Sequence, residues 1–496
     1  MWAFTMNFSI IIKSLGSLII LVGLSMLICM FLGWLVPAER GGMDVNYQGW
    51  WLSVVITLAS GGLAYGFGFW RLRESGDKKI FRREAIAVVG LGWILCSIFA
   101  ALPHYLCIPE VTYIRALFEA CSGFTTTGSS IFTSVEILPE TSLLWRSITQ
   151  WLGGMGILGA FLLIFSGETR GKTLLSFESS IHGADLSSSD LRSAMRNLWC
   201  IYIVLTVISI AGLWSMDMTL FQALNHGMTS AATGGFGTEN DSITSFSNGV
   251  KLWISWITLM SGISFPLYIA LLKKRDFGVL KRHEETRWYF LILTFAMIII
   301  GVTNYLTHCK SCTVDVIFNV VTIVTPAGFS SGDYDAWPML SKQIIMLLMI
   351  IGGCSGSTSG GLKVSRILLW IRSMKNEIIR GFRPNVILKL KMNGKTVGDE
   401  VARSVYVVTS VAVVIFVGGT MLLSLLEPDQ RIITIASGVL SAICNIGPAF
   451  EALGPTQNFS ILSDQSLGVL SMLMILGRLE FIAVLVLFSR RLWRRY

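Results

Sequence analysis

The feature that most constrains this chain is an alternation of long and short apolar runs. Ten runs lie near residues 9–36, 50–70, 85–106, 143–166, 197–215, 248–272, 288–307, 340–371, 401–426 and 466–489. Each is long enough to cross a bilayer, because a spanning helix needs about 20 apolar residues. Four shorter runs fall between them, near 112–124, 218–231, 313–324 and 432–443. At about 12 residues each they cannot cross, and that length suits a re-entrant half-helix. The order is two spans, then four copies of span, half-helix, loop, span, starting near 85, 197, 288 and 401. The repeat is one of layout rather than residue identity. The expected fold is an all-α polytopic membrane protein. Two extra N-terminal spans occupy 1–84, and pore repeats occupy 85–196, 197–287, 288–400 and 401–496 around one pseudo-fourfold pore.

Charge supports this layout. Charged residues make up 14% of the chain and the mean hydropathy is +0.65, whereas soluble domains carry about 25% charged residues. With the N-terminus inside, 31 of the 39 lysines and arginines fall in cytoplasmic segments and seven outside, with Arg478 inside a span. That excess is the positive-inside signature. It places both termini in the cytoplasm and all four short loops on the outer side. It also accounts for the net charge of +9 without a nucleic-acid partner. The basic stretch from Arg372 to Lys395 suits anionic lipid or an acidic protein as well as orientation alone. The first run, Phe8 to Val36, is too long for a signal core and reads as a retained helix.

Each short run leads into a loop of mostly small residues with glycine fourth. The loops are Thr125-Thr126-Thr127-Gly128, Ala232-Thr233-Gly234-Gly235, Thr325-Pro326-Ala327-Gly328 and Cys444-Asn445-Ile446-Gly447. An inward-pointing half-helix aims the negative end of its dipole at the pore centre, which favours a cation. Backbone carbonyls then replace the ion's water shell, provided the chain bends freely and no bulky side chain intrudes. These sixteen residues are the candidate ion-binding filter. Glycine also serves close helix packing in membranes, and with 48 glycines any one match carries little weight. Four matches at equivalent places carry much more. Six residues before each loop stand Glu119, His226 and Asn319, polar side chains able to hold a filter from behind, or merely to face outer water. Gly438 breaks the series in the fourth copy.

The eighth run contains Gly352-Gly353-Cys354-Ser355-Gly356-Ser357-Thr358-Ser359-Gly360-Gly361. Ten small residues make a poor lipid-facing helix, and irregular backbone survives at depth only where protein buries it or water lines it. We read this as a mobile loop beneath the filter, a candidate gate. Two GxxxG pairs make tight helix packing the alternative. Arg478 is a second gate candidate, since an intramembrane charge faces a wet cavity or a partner. An ion pair with Glu480, or snorkelling to the interface, is the simpler option. Cys309 and Cys312 form a lone C-x-x-C outside the membrane, open to a disulfide, free thiols or half of a metal site.

Several motifs resemble the Trk/Ktr/HKT superfamily of potassium transporters, in its bacterial TrkH/TrkG branch. Phe118 to Gly128 is similar to that family's first filter, and Gln150-Trp151-Leu152-Gly153-Gly154-Met155-Gly156 to the start of its next helix. Gly352 to Val364 is similar to its intramembrane loop and Gly477-Arg478-Leu479-Glu480 to its last-helix motif. The resemblance implies potassium uptake through a gated, carbonyl-lined filter. It further implies a homodimer in the bacterial inner membrane, with one pore per subunit. It implies a cytoplasmic TrkA-type regulator that binds the nucleotide (NAD or ATP/ADP), while this chain holds no cofactor of its own. Relatives with serine in place of the first filter glycine tend to favour sodium, so Gly128 favours potassium. Pro326 and Cys444 depart from the pattern.

Two rival functions follow from the residues. A potassium symporter coupled to protons or sodium requires a titrating carboxylate in the pore, and none is clearly placed there. Gly353-Cys354-Ser355-Gly356 fits the GxSG of rhomboid-like intramembrane proteases, but His104, His182, His226, His283 and His308 all lie away from mid-span, so no base is offered to the serine. No phosphate loop, dinucleotide fingerprint or zinc-protease helix occurs. The chain reads as a transporter rather than an enzyme.

Overall fold

The computed structural model describes residues 6–35, 43–75, 82–165, 188–276, 278–309, 313–386 and 388–493. Among these the regular structure is helical apart from one hairpin, Lys391–Met392 paired with Lys395–Thr396. Its turn residues Asn393 and Gly394 have φ of 51° and 75°, the left-handed pair that a tight hairpin favours.

The N-terminal helices Phe8–Leu35 and Tyr47–Ser75 pack closely through glycine. A Cβ on Gly16 would lie 2.4 Å from the Tyr65 nitrogen, and one on Gly68 2.5 Å from the Lys13 nitrogen. Small residues at the crossing let the two backbones touch, which is how helices gain contact where lipid is as apolar as their side chains. The outward faces present Leu21, Ile28, Val55, Leu63 and Phe69.

Four units of one element order follow. Each has a long helix, a short helix, an irregular loop and a further helical segment. The short helices are Tyr113–Phe124, Leu220–Ala232, Thr313–Val324 and Ile432–Cys444, with 12, 13, 12 and 13 residues. Local chemistry sets their starts. The Thr112 hydroxyl accepts from the Arg115 nitrogen, and Thr219 and Gln222 form a reciprocal capping box.

Of the ten expected spans, three are broken by a sharp bend or an irregular stretch, and the 85–106 span is interrupted only at the single turn residue Ala101. The 248–272 span is two helices, Asn248–Ser261 and Phe265–Lys273, bent by 83°. The 340–371 span stops at Ile351 and resumes at Val364. The 466–489 span breaks after Arg478, where Glu480 and Phe481 take φ of 53° and 64°. Each break has a use. Pro266 opens a new helix where its missing N–H costs nothing. The freed Gly262 carbonyl accepts from the Cys354 nitrogen at 2.9 Å. Apolarity and length read alike in a straight span and a broken one, so only tertiary partners distinguish them. Among the described residues six helices are long and apolar enough to span by themselves, or seven with the bent pair, so the chain is a multi-pass membrane protein. Cys312 lies outside the described residues, as do residues 166–187 with His182 and their part of the basic charge.

The Gly16 contact is testable. Gly16→Leu sets a side chain against backbone that cannot yield, and overpacking of this kind costs about 1–3 kcal/mol. The thermal midpoint of the purified protein in detergent should fall. An unchanged midpoint would show that the two helices do not touch there.

Candidate functional site

The four small-residue loops share one backbone conformation. Their fourth residues, Gly128, Gly235, Gly328 and Gly447, have φ of 90°, 85°, 69° and 108°. Their second residues Thr126, Thr233 and Asn445 are also left-handed, at 53°, 52° and 55°. Positive φ is an outlier for a β-branched residue and costs on the order of 1–3 kcal/mol. It persists here because tertiary contacts hold it, and no residue preference announced it. Pro326, at the same position, has a φ of 21°, because its ring resists the left-handed well. The first three residues of every loop are buried, while Gly128, Gly235 and Gly328 are half-buried.

The loops touch in a closed cycle. A Cβ on Gly128 would lie 2.3 Å from the Gly234 carbonyl oxygen, and one on Gly235 2.3 Å from that of Ala327. One on Gly328 would lie 1.9 Å from the Ile446 oxygen, and one on Gly447 2.6 Å from the Thr127 oxygen. Each glycine abuts the third carbonyl of the next loop, and the fourth loop returns to the first. All four glycines also line a single cavity of about 140 Å³, together with Ser129, Ser130 and Glu239. The fourth and first loops are tied further by Asn445 Nδ2 donating to Thr127 Oγ1 (3.0 Å) and Ser129 Oγ to the Gly447 oxygen (2.9 Å).

Side chains on the short helices hold the loops from behind. Glu119 accepts from the Ile131 nitrogen at 3.0 Å, and Asn319 from the Ser331 nitrogen at 3.3 Å. His226 Nε2 meets Thr238 Oγ1 at 3.1 Å. Each contact reaches 12 residues ahead, so the three polar positions seen in sequence act in one register. In the fourth copy the neighbouring Ser437, which sequence reasoning passed over, accepts from the Phe450 nitrogen at 3.1 Å. Glu119 also forms a buried ion pair with Arg146 at 2.8 Å, the side chains 0% and 3% exposed. Arg146 donates to the Gly237 oxygen and lies over the Phe236 ring, so one pair braces two loops. Gln150 Nε2 donates to the Gly234 oxygen while its Oε1 accepts from the Phe236 nitrogen. Two more ion pairs join neighbouring copies at matching positions with polarity reversed: Lys251 with Asp315 at 3.3 Å, and Asp464 with Arg115 at 2.9 Å.

The segment Gly352–Gly361 lies directly under these loops and is not helical. Thr358 Oγ1 reaches the Ala231 and Ser261 oxygens at 3.4 and 3.3 Å. Gly360 leaves only 2.7 Å between a Cβ and the Cys444 oxygen. Ser357 Oγ donates to the Cys354 oxygen and Ser359 accepts from Lys363 at its carbonyl, so the segment folds on itself. Gly352, Gly356 and Gly361 sit at φ of 77°, 75° and 77°, which rules out the packed-helix alternative. Arg478 is 8% exposed. Its Nη1 donates to the Thr358 oxygen at 3.0 Å and its Nη2 to that of Gly153 at 3.1 Å. Glu480 pairs with Arg366 instead of Arg478. Ser355 Oγ meets Ser365 Oγ, and its backbone N–H is bound by Glu285. No cluster of three or more histidine, cysteine or acidic side chains able to hold a metal occurs among the described residues.

Apolar spans joined by half-length helices, whose small-residue loops meet one another, define an all-α polytopic membrane protein. The chain belongs to the TrkH family, described as cation transport proteins, whose model matches residues 63–495. It is 31% identical to the Trk system potassium uptake protein TrkH of Halomonas elongata over 99% of this chain and 100% of that one. It is 30% identical to the Escherichia coli protein of the same name over 87% of this chain and 90% of that one. The crystal structure of the potassium transporter TrkH from Vibrio parahaemolyticus superposes with a TM-score of 0.85 at 26% identity, covering 99% of this chain and 100% of that one. These relatives are named for transport, a role without catalysis.

The backing contacts predict unequal costs. Glu119→Gln leaves Arg146 buried without its counter-charge, a loss of about 3–5 kcal/mol. Asn319→Ala removes a neutral hydrogen bond worth about 1 kcal/mol. Thermal unfolding should rank them in that order, and equal shifts would show that the ion pair does not brace the loops.

Proposed function

We propose that this chain carries potassium into the cell across a bacterial inner membrane. Carbonyls of Thr125 to Gly128, Ala232 to Gly235, Thr325 to Gly328 and Cys444 to Gly447 form the filter. The four copies, bounded as the sequence suggests, surround one pore with both termini in the cytoplasm. Gly352 to Gly361 is the gate below the filter, and Arg478 anchors it. The chain works as a homodimer with a TrkA-type subunit that supplies nucleotide sensing.

The observation carrying this reading is the cycle of glycine-to-carbonyl contacts around one cavity. Such a ring presents backbone oxygen at close quarters from four directions, which is the chemistry that replaces a potassium ion's hydration shell. The short helices end at the ring, so their dipoles favour a cation there. The names of the relatives supply the ion. Coupling to protons or sodium is the weaker reading, since Glu119 behind the first loop is held in an ion pair, and Glu239, which lines the cavity, accepts from Gln222 Nε2 and Thr238 Oγ1.

Uptake-deficient cells expressing the wild-type chain should grow on limiting potassium. Gly128→Ser places a side chain where only 2.3 Å is free, so that variant should not rescue growth. Its potassium preference over sodium should fall about tenfold, the equivalent of about 1.4 kcal/mol. Rescue by the serine variant with unchanged preference would remove Gly128 from the ion path. In liposomes, a reversal potential that tracks potassium alone fits the uncoupled pathway, and one that shifts with pH or sodium fits symport.

A further inference from the structure

We propose that Glu285 is the positioning residue that keeps the Gly352–Gly361 segment closed, and that Glu284 beside it ties this hold to the cytoplasmic hairpin. The proposal rests on reading that segment as the gate. Glu285 was not singled out by sequence: it sits at the start of a long helix beside another acid, where acidic residues commonly favour the helix dipole. In the fold it does something else. Its Oε1 accepts from the Ser355 nitrogen at 2.7 Å and from the Ser365 nitrogen at 3.1 Å. Those two serines stand at the neck of the segment, and their hydroxyls meet across it. One oxygen therefore closes a loop whose tip carries Thr358 and Gly360 up to the filter loops and Arg478.

Glu285 is fully buried, and its Oε2 has no hydrogen-bond partner among the described residues. A buried, half-satisfied carboxyl group is expensive. The fold keeps it where a single acceptor serves two backbone donors. Either protonation state leaves an acceptor at Oε1, so the clamp depends on geometry rather than on charge. With the neck pinned, movement falls to the tip, between Gly356 and Gly361, whose positive φ marks chain that bends freely.

Glu284 holds the other element. Its carboxyl group accepts from the Asn393 nitrogen at 2.9 Å and pairs with Arg372, while its own nitrogen donates to Asn393 Oδ1 at 2.7 Å. Arg372 in turn donates to the Lys391 oxygen. The hairpin and the loop neck are thus gripped by consecutive residues of one helix. A displacement of the hairpin by any cytoplasmic partner reaches the neck through a single peptide unit.

The test uses the purified full-length chain in potassium-loaded liposomes with no regulator, reading rubidium exchange. Glu285→Ala should raise basal flux about tenfold, the order expected from losing two ordinary hydrogen bonds, while Glu285→Gln, which keeps the acceptor, should stay within about twofold of wild type. Glu285→Asp, too short to reach both serines, should fall between them and serves if the alanine variant does not insert. Glu284→Ala should raise flux less, and combining it with Glu285→Ala should add nothing. Hydrogen exchange at residues 355–365 should quicken in Glu285→Ala while that of 125–128 stays the same. Equal leak from the glutamine and alanine variants would overturn the clamp in favour of a charge effect. Unchanged flux and exchange in Glu285→Ala would overturn it outright. A wild-type chain that passes no rubidium, with exchange still quickened by Glu285→Ala, would sink the transport reading and leave the clamp standing.

Discussion

The molecule depends on four places where a backbone carbonyl rests against a glycine Cα with no space between. The closest leaves 1.9 Å for a Cβ and the widest 2.6 Å. The ring therefore admits no other residue at those positions without moving a neighbouring loop, and every loop is a neighbour of two others. A change at one member must propagate around the cycle. Closed rings of this kind are stiff because no free end can relax, and that stiffness allows strained threonine backbone to be held in place.

A ring under that constraint needs support from outside, and two layers supply it. Above, side chains on the short helices take up backbone N–H groups that the loops leave unpaired. Below, broken helices expose backbone groups that bind the glycine-rich segment: the Gly262 carbonyl accepts from the Cys354 nitrogen, and the Phe265 nitrogen donates to the Gly356 carbonyl. Irregular backbone is tolerated at membrane depth only where protein satisfies it. The three helix breaks, the glycine-rich segment and Arg478 are best seen as one arrangement that satisfies itself, since removing any part would leave buried polar groups unpaired.

Much of this was legible in the chain itself. The short apolar runs matched the short helices to within a residue or two, because length and periodicity are local properties. The fourth-position glycines were legible because positive φ selects for glycine directly. The second-position strain at Thr126 and Thr233 was not, because nothing in a threonine declares a left-handed backbone. Ser437 was missed for a similar reason. A one-residue offset replaces the polar position, and the helix turns it toward the same N–H.

The sequence alone determined that the chain crosses the membrane many times, that half-length segments recur four times, and that small residues end each of them. These follow from hydropathy and chain length, which every residue carries with it. The tertiary structure alone decided which spans break, which carbonyl each glycine meets, and that Arg478 reaches Thr358 and Gly153 rather than Glu480. Those outcomes depend on partners distant in the sequence, and the cost of a buried polar group is settled only when its partner arrives.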